Sequence, residues 1–136
     1  MAGRIEWSEE LSVNVSAFDN EHRKLIGYMN ELYDAMKLGR GQDAAGKILT
    51  RLVDYTRTHF ANEEKAFALH GFPNAGRHKL EHDQLIRQVG DFQQKLARGQ
   101  AMLSIDLMTF LTNWLTHHIC ESDKQYSAFL NEKGMR

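Results

Sequence analysis

The fold is decided by residues 58–85, which read THFANEEKAFALHGFPNAGRHKLEHDQL. His59 and Glu63 are four residues apart, and so are His78 and His82. On an α-helix, four residues turn the chain by about 400°, which stacks the two side chains about 6 Å apart on one face. The only proline of the chain lies between the two pairs and cannot sit inside a helix. The stretch therefore predicts two helices, each with a stacked pair of potential metal ligands.

The composition indicates a single globular domain of 136 residues, with 42% hydrophobic and 26% charged side chains. The 17 basic and 18 acidic residues are interspersed, so we expect no nucleic-acid partner and no membrane-binding basic patch. The lone Cys120 fits a reducing compartment. No apolar run is long enough for a signal peptide or a membrane span. These features predict a soluble cytoplasmic protein.

Hydrophobic periodicity predicts four amphipathic helices joined by short links. The first is expected to begin near Ser16, where the spacing to Asp19 resembles a capping box, and to end at Gly39. The second is expected to end near His70, before the proline, and the third at Gly99.

The fourth helix is expected to begin at Ser104, whose hydroxyl can cap it, and to continue past Asp123 to Leu130. We expect residues 1–17 to form an irregular N-terminal arm and residues 18–132 to form the bundle, within one domain spanning the whole chain. Four amphipathic helices with short links predict an all-α, antiparallel, up-down-up-down four-helix bundle.

The candidate metal ligands lie early in the first and third predicted helices and late in the second and fourth. Because successive helices of an antiparallel bundle run in opposite directions, all seven meet at one end. A polar cluster inside an apolar bundle costs free energy unless something satisfies it. A single histidine on an apolar face is more often a hydrogen-bonded core residue, but five histidines and two carboxylates at one depth predict a metal site. The predicted ligands are His22, His59, Glu63, His78, His82, His118 and Asp123.

The other histidines and two neighbouring acids are not expected to bind metal. His117 points about 100° away from the adjacent His118 on a helix, and His70 lies at a helix end where a cation suits the dipole. Glu64 and Glu121 lie off the inward faces and are interpreted as solvated charges.

The spacing between His118 and Asp123 does not fit a regular helix. Five residues correspond to about 140° of rotation, so the two side chains would not share one face. Asp123 must therefore reach in from the flank, or the helix must be distorted there, for instance by a π-bulge.

The number of candidate ligands indicates two metal ions. Seven side chains exceed the four ligands of a tetrahedral zinc site and the six of one octahedral ion. If two octahedral ions share both carboxylates and one bridging oxygen, the five imidazoles and the bridges leave one coordination position empty. One empty position is what a small diatomic ligand needs.

The chain resembles the hemerythrins, and most closely the single-domain bacterial hemerythrins. The resemblance rests on motifs that cover nearly the whole chain and leave no ligand position substituted. They are Trp-Ser at residues 7–8, Asp-Asn-Glu-His at 19–22, His-Phe-x-x-Glu-Glu at 59–64, Gly-Phe-Pro at 71–73, His-x-x-x-His at 78–82, and Trp-Leu-x-x-His-Ile-x-x-x-Asp at 114–123.

This resemblance implies reversible O2 binding at a non-haem di-iron centre with an oxo or hydroxo bridge. It implies two iron ions as cofactor and O2 as ligand. By carry-over, His78, His82 and His118 hold one iron, His22 and His59 hold a second iron with a vacant position, and Glu63 and Asp123 bridge them. The resemblance also implies an O2 pocket over the vacant position, formed by Leu25, Phe60, Leu115 and Ile119, with Trp114 close by.

Two other functions use the same centre. A di-iron oxidase or peroxidase would need a substrate channel and a proton donor, and the implied pocket contains no polar side chain, so we do not expect an enzyme. The same module can also serve as an O2 or redox sensor when it is attached to a signalling protein, so a protein partner is left open. The ligand types favour iron but also fit manganese.

Overall fold

The computed structural model describes residues 5–39, 41–100 and 102–136, which are almost entirely helical. Helix α1 packs against α2 and α4, and α2 packs against α3. No strand occurs within these ranges. The structure confirms the predicted antiparallel four-helix bundle. The main helices are α1 (Ser16–Lys37), α2 (Gln42–His70), α3 (Ala75–Ala97) and α4 (Ile105–His117).

The fourth rod of the bundle is not one regular helix. After α4 it continues through a π-helical segment (His118–Ser122), a 3-10 turn (Asp123–Tyr126) and a short helix α5 (Ser127–Glu132). The predicted distortion between His118 and Asp123 is therefore confirmed as a π-helical segment.

Two of the predicted helix boundaries are confirmed: α2 ends at His70, and Ser104 caps the start of α4. Gly71 ends α2 in the left-handed region at φ 73°, and its N–H donates to the carbonyl of Phe67. The hydroxyl of Ser104 accepts the N–H of Leu107 at 3.3 Å and caps α4.

The predicted capping box at the start of α1 is wrong. Val15 is the residue before the helix, and no side chain caps it. Asp19 instead accepts the N–H of Val13 at 2.8 Å and the hydroxyl of Ser12 at 2.6 Å. An acid in the first turn therefore ties down the preceding arm instead of closing the helix end.

The N-terminal arm lies along the bundle with its apolar side chains inward. Leu11, Val13 and Val15 are buried, and the Ser127 hydroxyl donates to the Val13 carbonyl at 2.5 Å. The first four residues of the predicted arm lie outside the described residues. Because α1 begins at Ser16, the helical bundle starts two residues before the predicted boundary, and the extent of the domain stays a prediction.

The hydrophobic core runs the length of the bundle and is interrupted at one end by the polar cluster described below. Within the described ranges, no helix has the length and hydrophobicity that a membrane crossing needs.

Candidate metal centre

The structure brings all seven predicted ligands together inside the bundle, and each of them is at most 4% exposed. Their ligand atoms form two groups, and within each group they lie within 4.8 Å of one another. Glu63 and Asp123 belong to both groups. One group adds His78, His82 and His118, and the other adds His22 and His59.

The two shared carboxylates each turn one oxygen towards each group. Glu63 Oε1 lies 3.1 Å from His82 Nε2, and its Oε2 lies 3.4 Å from His59 Nε2. Asp123 Oδ1 lies 2.8 Å from His78 Nε2, and its Oδ2 lies 3.0 Å from His22 Nε2. This is the arrangement that two bridging carboxylates need.

The buried ligand atoms lack the hydrogen bonds that buried polar groups normally make. The Nε2 atoms of four of the five imidazoles, three of the four carboxylate oxygens and His22 Nδ1 have no aligned hydrogen-bond partner among the described residues. In these close N···O pairs, no N–H group points at the neighbouring oxygen. The nitrogen and oxygen atoms instead surround a shared space. Buried nitrogen and oxygen atoms that converge without bonding one another fit a pair of metal ions, which would satisfy them.

Three of the imidazoles are oriented by carboxylates behind them. Glu21 Oε1 is 2.5 Å from His59 Nδ1, and Glu64 Oε2 is 2.9 Å from His82 Nδ1. A carboxylate at Nδ1 keeps the proton there and leaves the Nε2 lone pair free to bind metal. The interpretation of Glu64 as a solvated charge is therefore wrong, because its carboxylate reaches across to α3.

The third such pair joins α3 to the π-helical segment. Glu81 Oε1 lies 3.0 Å from His118 Nδ1 and also accepts the Ser122 hydroxyl at 2.5 Å. Burial alone would raise the pKa of Glu81, but the bonds from Ser122 and His118 outweigh it and lower that pKa. Glu81 is thus held as an anion behind its imidazole.

Sequence reasoning did not find the roles of four residues, Glu21, Glu64, Glu81 and Tyr126. The three acids are each adjacent in sequence to a predicted ligand, and that adjacency is a signal that could have found them. Tyr126 is fully buried, and its hydroxyl donates to Glu63 Oε2 at 2.6 Å.

The electrostatics of the metal-free cluster favour charged imidazoles and carboxylates. Burial alone would raise the pKa of Glu63, but His59, His22 and His78 hold it well below its usual range. Burial alone would lower the pKa of His59, but Glu63 and Glu21 raise it to about 10. Burial likewise opposes the charge on His78, but Asp123 and Glu63 raise its pKa to about 9. The imidazoles of His59 and His78 are therefore protonated at neutral pH when no metal competes for them.

The π-helical segment explains why a five-residue spacing works. Asp123 N–H donates to the carbonyl of His118, five residues earlier. One turn of π-helix therefore places His118 and Asp123 on the same face, where His118 Nε2 and Asp123 Oδ1 lie 3.0 Å apart.

An apolar cavity lies within the bundle beside the cluster. It gives the centre of a water-sized molecule about 30 Å³ of space. Four of the five predicted pocket residues line it: Leu25, Phe60, Trp114 and Leu115. Ile119 is buried at 1% exposure but is not among the lining residues.

The same cavity contains one polar side chain that the implied pocket did not include. Thr56 lines the cavity, and its hydroxyl donates to the Leu52 carbonyl at 2.7 Å. The aromatic walls pack on the ligands, since Phe60 stacks on His82 with ring centroids 3.7 Å apart and Trp114 stacks on His118 at 4.4 Å. In the described lining the hydroxyl proton of Thr56 is therefore committed to the backbone, and the remaining walls are aliphatic or aromatic.

The two histidines that were not expected to bind metal lie outside both groups of ligand atoms. His117 is exposed and pairs with Glu121 one turn later, and His70 is half-buried at the end of α2. Glu121 is exposed, as expected for a solvated charge.

Known proteins resemble the chain over nearly its full length. Residues 13–130 match the family described as the Hemerythrin HHE cation binding domain. Bacteriohemerythrin from Methylococcus capsulatus is 34% identical over 122 residues, covering 90% of this chain and 92% of that protein. Bacteriohemerythrin from Stenotrophomonas maltophilia is 31% identical over 132 residues, covering 94% and 85%.

Solved structures of hemerythrin also resemble this chain in fold. A crystal structure of wild-type hemerythrin superposes with a TM-score of 0.88 at 33% identity, covering 91% of this chain and 95% of that one. The sequence motifs, the paired ligand groups and these similarities agree, and the chain belongs to the hemerythrin family.

Proposed function

We propose that this protein binds O2 reversibly at a non-haem di-iron centre. The observation that carries the proposal is the inequality of the two ligand groups, which share both carboxylates but hold three imidazoles on one side and two on the other. With octahedral ions and a bridging oxygen, the three-imidazole group is complete, and the two-imidazole group keeps one position for a small ligand.

In this proposal His78, His82 and His118 hold one iron, His22 and His59 hold the other, and Glu63 and Asp123 bridge them. The two irons, when bound, supply the electrons for reversible O2 binding. The chain itself fixes the ligand directions. Glu21, Glu64 and Glu81 orient three imidazoles from behind, and Tyr126 holds one oxygen of the bridging Glu63.

The apolar cavity supplies the environment that reversible binding needs. Leu25, Phe60 and Leu115 line it, and the Thr56 hydroxyl is already used by the backbone. We include the buried Ile119 in the O2 pocket as well. A dry pocket disfavours water and protons beside the bound ligand, and so limits irreversible oxidation of the centre.

The lack of a free proton donor in the described lining also supports a role as a binding protein and not as an enzyme. We further propose a cytoplasmic location, because the free thiol of Cys120 suits a reducing compartment.

The proposal is tested by visible spectroscopy on anaerobically reduced, iron-loaded protein before air, after air and after purging with inert gas, with iron measured on the same sample. We expect two irons per chain and a charge-transfer band that appears with air and disappears on purging. A band that decays at once while hydrogen peroxide accumulates in solution would indicate an oxidase and refute the proposal.

A further inference from the structure

A polar groove lies between the start of α3 and the π-helical segment, on the side of the centre that holds three imidazoles. We call it the α3–α4 groove; its lining includes Arg77, His78, Glu81, His117, Glu121 and Ser122. It gives the centre of a water-sized molecule about 660 Å³, far more than the apolar cavity. The groove is open to solvent, so a hydrated cation can reach its mouth.

The floor of the groove reaches the candidate metal centre itself. His78 lines the groove, is only 4% exposed, and has an Nε2 atom without an aligned hydrogen-bond partner. The same nitrogen lies 2.8 Å from Asp123 Oδ1. That Nε2 atom is itself buried, so the His78 side chain separates the groove from the ligand atoms of the centre, and an ion in the groove lies one side chain away from an unsatisfied ligand.

Metal-binding groups also lead inward from the mouth of the groove. The exposed His117 and Glu121 are one turn apart with the imidazole against the carboxylate. Glu81 comes next, and its Oε1 contacts both Ser122 Oγ and His118 Nδ1. The groove thus offers oxygen and nitrogen atoms at its mouth, along its wall and at its floor.

Three other approaches to the centre are less suited to a cation. The apolar cavity would strip an ion of water without replacing it, which costs many kcal/mol. On the arm side, Val13, Val15 and Tyr126 are each 0% exposed. The carboxylates of Glu21 and Glu64 reach outward too, but their side chains are 19% and 27% exposed, against 36% for Glu81.

We propose that the α3–α4 groove is the route by which ferrous ions enter the centre, with His117 and Glu121 as a transient cation-binding site. The inference rests on the proposed di-iron function. Glu81 then draws the ion inward to His78 and His118. Arg77 lies in the same lining and repels a cation. Removing a negative charge from the groove should therefore slow the entry of ferrous ions, and removing the positive charge of Arg77 should accelerate it.

The test is the rate at which the metal-free full-length chain takes up Fe²⁺ without oxygen, followed by trapping unbound iron with a chromogenic chelator at successive times. At moderate salt, Glu121→Lys is expected to slow uptake about threefold to tenfold, because two units of charge change within about one Debye length of a divalent ion. The double variant His117→Ala with Glu121→Gln should also slow it, and Arg77→Gln should accelerate it. The final iron content should stay at two per chain in every variant.

Asp91→Lys is the matched control, since Asp91 is an exposed acid on α3 that does not line the groove. Equal uptake rates in Glu121→Lys and Asp91→Lys would overturn the proposed route. Equal rates in all variants and the parent chain would overturn it too, since uptake would then be limited by opening of the bundle. A parent chain that never reaches two irons would contradict the di-iron function instead, whatever the order of rates.

Discussion

The carboxylates behind the imidazoles give the sharpest test of how this chain builds its centre. Glu21 contacts His59 in the two-imidazole group, and Glu64 contacts His82 in the three-imidazole group. The changes Glu21→Gln and Glu64→Gln keep the size of the side chain but remove its charge. We therefore expect each change to weaken mainly the ion held by the imidazole that it supports.

The magnitude follows from the type of hydrogen bond that is lost. A bond to a charged acceptor contributes about 1.5–3 kcal/mol, and a neutral one about 0.5–1.5 kcal/mol. A glutamine carbonyl can still accept the Nδ1 proton, so the net loss is about 1–2 kcal/mol. Since 1.4 kcal/mol is a factor of ten, the affinity of the supported ion should fall about fivefold to thirtyfold. The Glu21 side chain is only 19% exposed, so water screens this contact weakly.

The assay is an anaerobic titration of the metal-free chain with Co²⁺ against a competing chelator. Six-coordinate Co²⁺ absorbs weakly and five-coordinate Co²⁺ more strongly, so the complete and incomplete groups give separate signals. Glu21→Gln should weaken the intense signal, and Glu64→Gln the weak one. Glu31→Gln is the control, because Glu31 is also on α1 but makes an exposed pair with Arg51. Equal losses of both signals in the two variants would refute the assignment of one carboxylate to each ion.

Three further predictions concern the bridge, the pocket and pH. Tyr126→Phe removes the donor to Glu63 Oε2, and because Glu63 is shared, both ions should be lost to a chelator several times faster; loss of only one ion would contradict this. Leu115→Gln places an amide in the apolar cavity, so water should enter and the irreversible oxidation of the O2-binding form should become faster. The rate is measured as the decay of the reversible absorption band. An unchanged decay would show that the exclusion of water does not protect the centre. In the metal-free chain, the pKa of His78 is raised from 6.5 to about 9 and that of His59 to about 10, so their stabilisation is fully present below pH 6.5 and is lost as pH rises to about 10. The Tm of the metal-free chain should therefore fall across that range while that of the iron-loaded protein stays nearly constant, and a flat metal-free curve would refute the charge assignment.

The positions of the helices could be predicted because the ligands occupy the apolar stripes instead of interrupting them. In α3, His78 and His82 continue the same inward face as Leu85 and Val89, all of which are buried. When these histidines are counted together with the apolar residues, the helical spacing predicts both the helix and its core-facing side. The convergence at one end then follows from antiparallel order alone.

The helix start at Ser16 illustrates a limit of local pattern reading. Asp19 has the spacing of a capping residue, but its carboxylate bonds to the arm at Ser12 and Val13. A side chain at this position can turn to either side of the helix start, and the choice depends on where the preceding chain runs. That path is fixed by burial of Val13 and Val15, which is a tertiary effect.

The supporting carboxylates follow a rule that connects the site to the packing of the bundle. Each one is next in sequence to a ligand on its own helix, and each reaches the imidazole on the following helix: α1 to α2, α2 to α3, and α3 to the fourth rod. A neighbouring residue on a helix is rotated by about 100°, so it lies on the flank beside the adjacent helix and not towards the centre. The directions of these three imidazoles are thus fixed across three helix interfaces and not within any one helix. Loosening one interface should therefore misdirect an imidazole while leaving every helix intact.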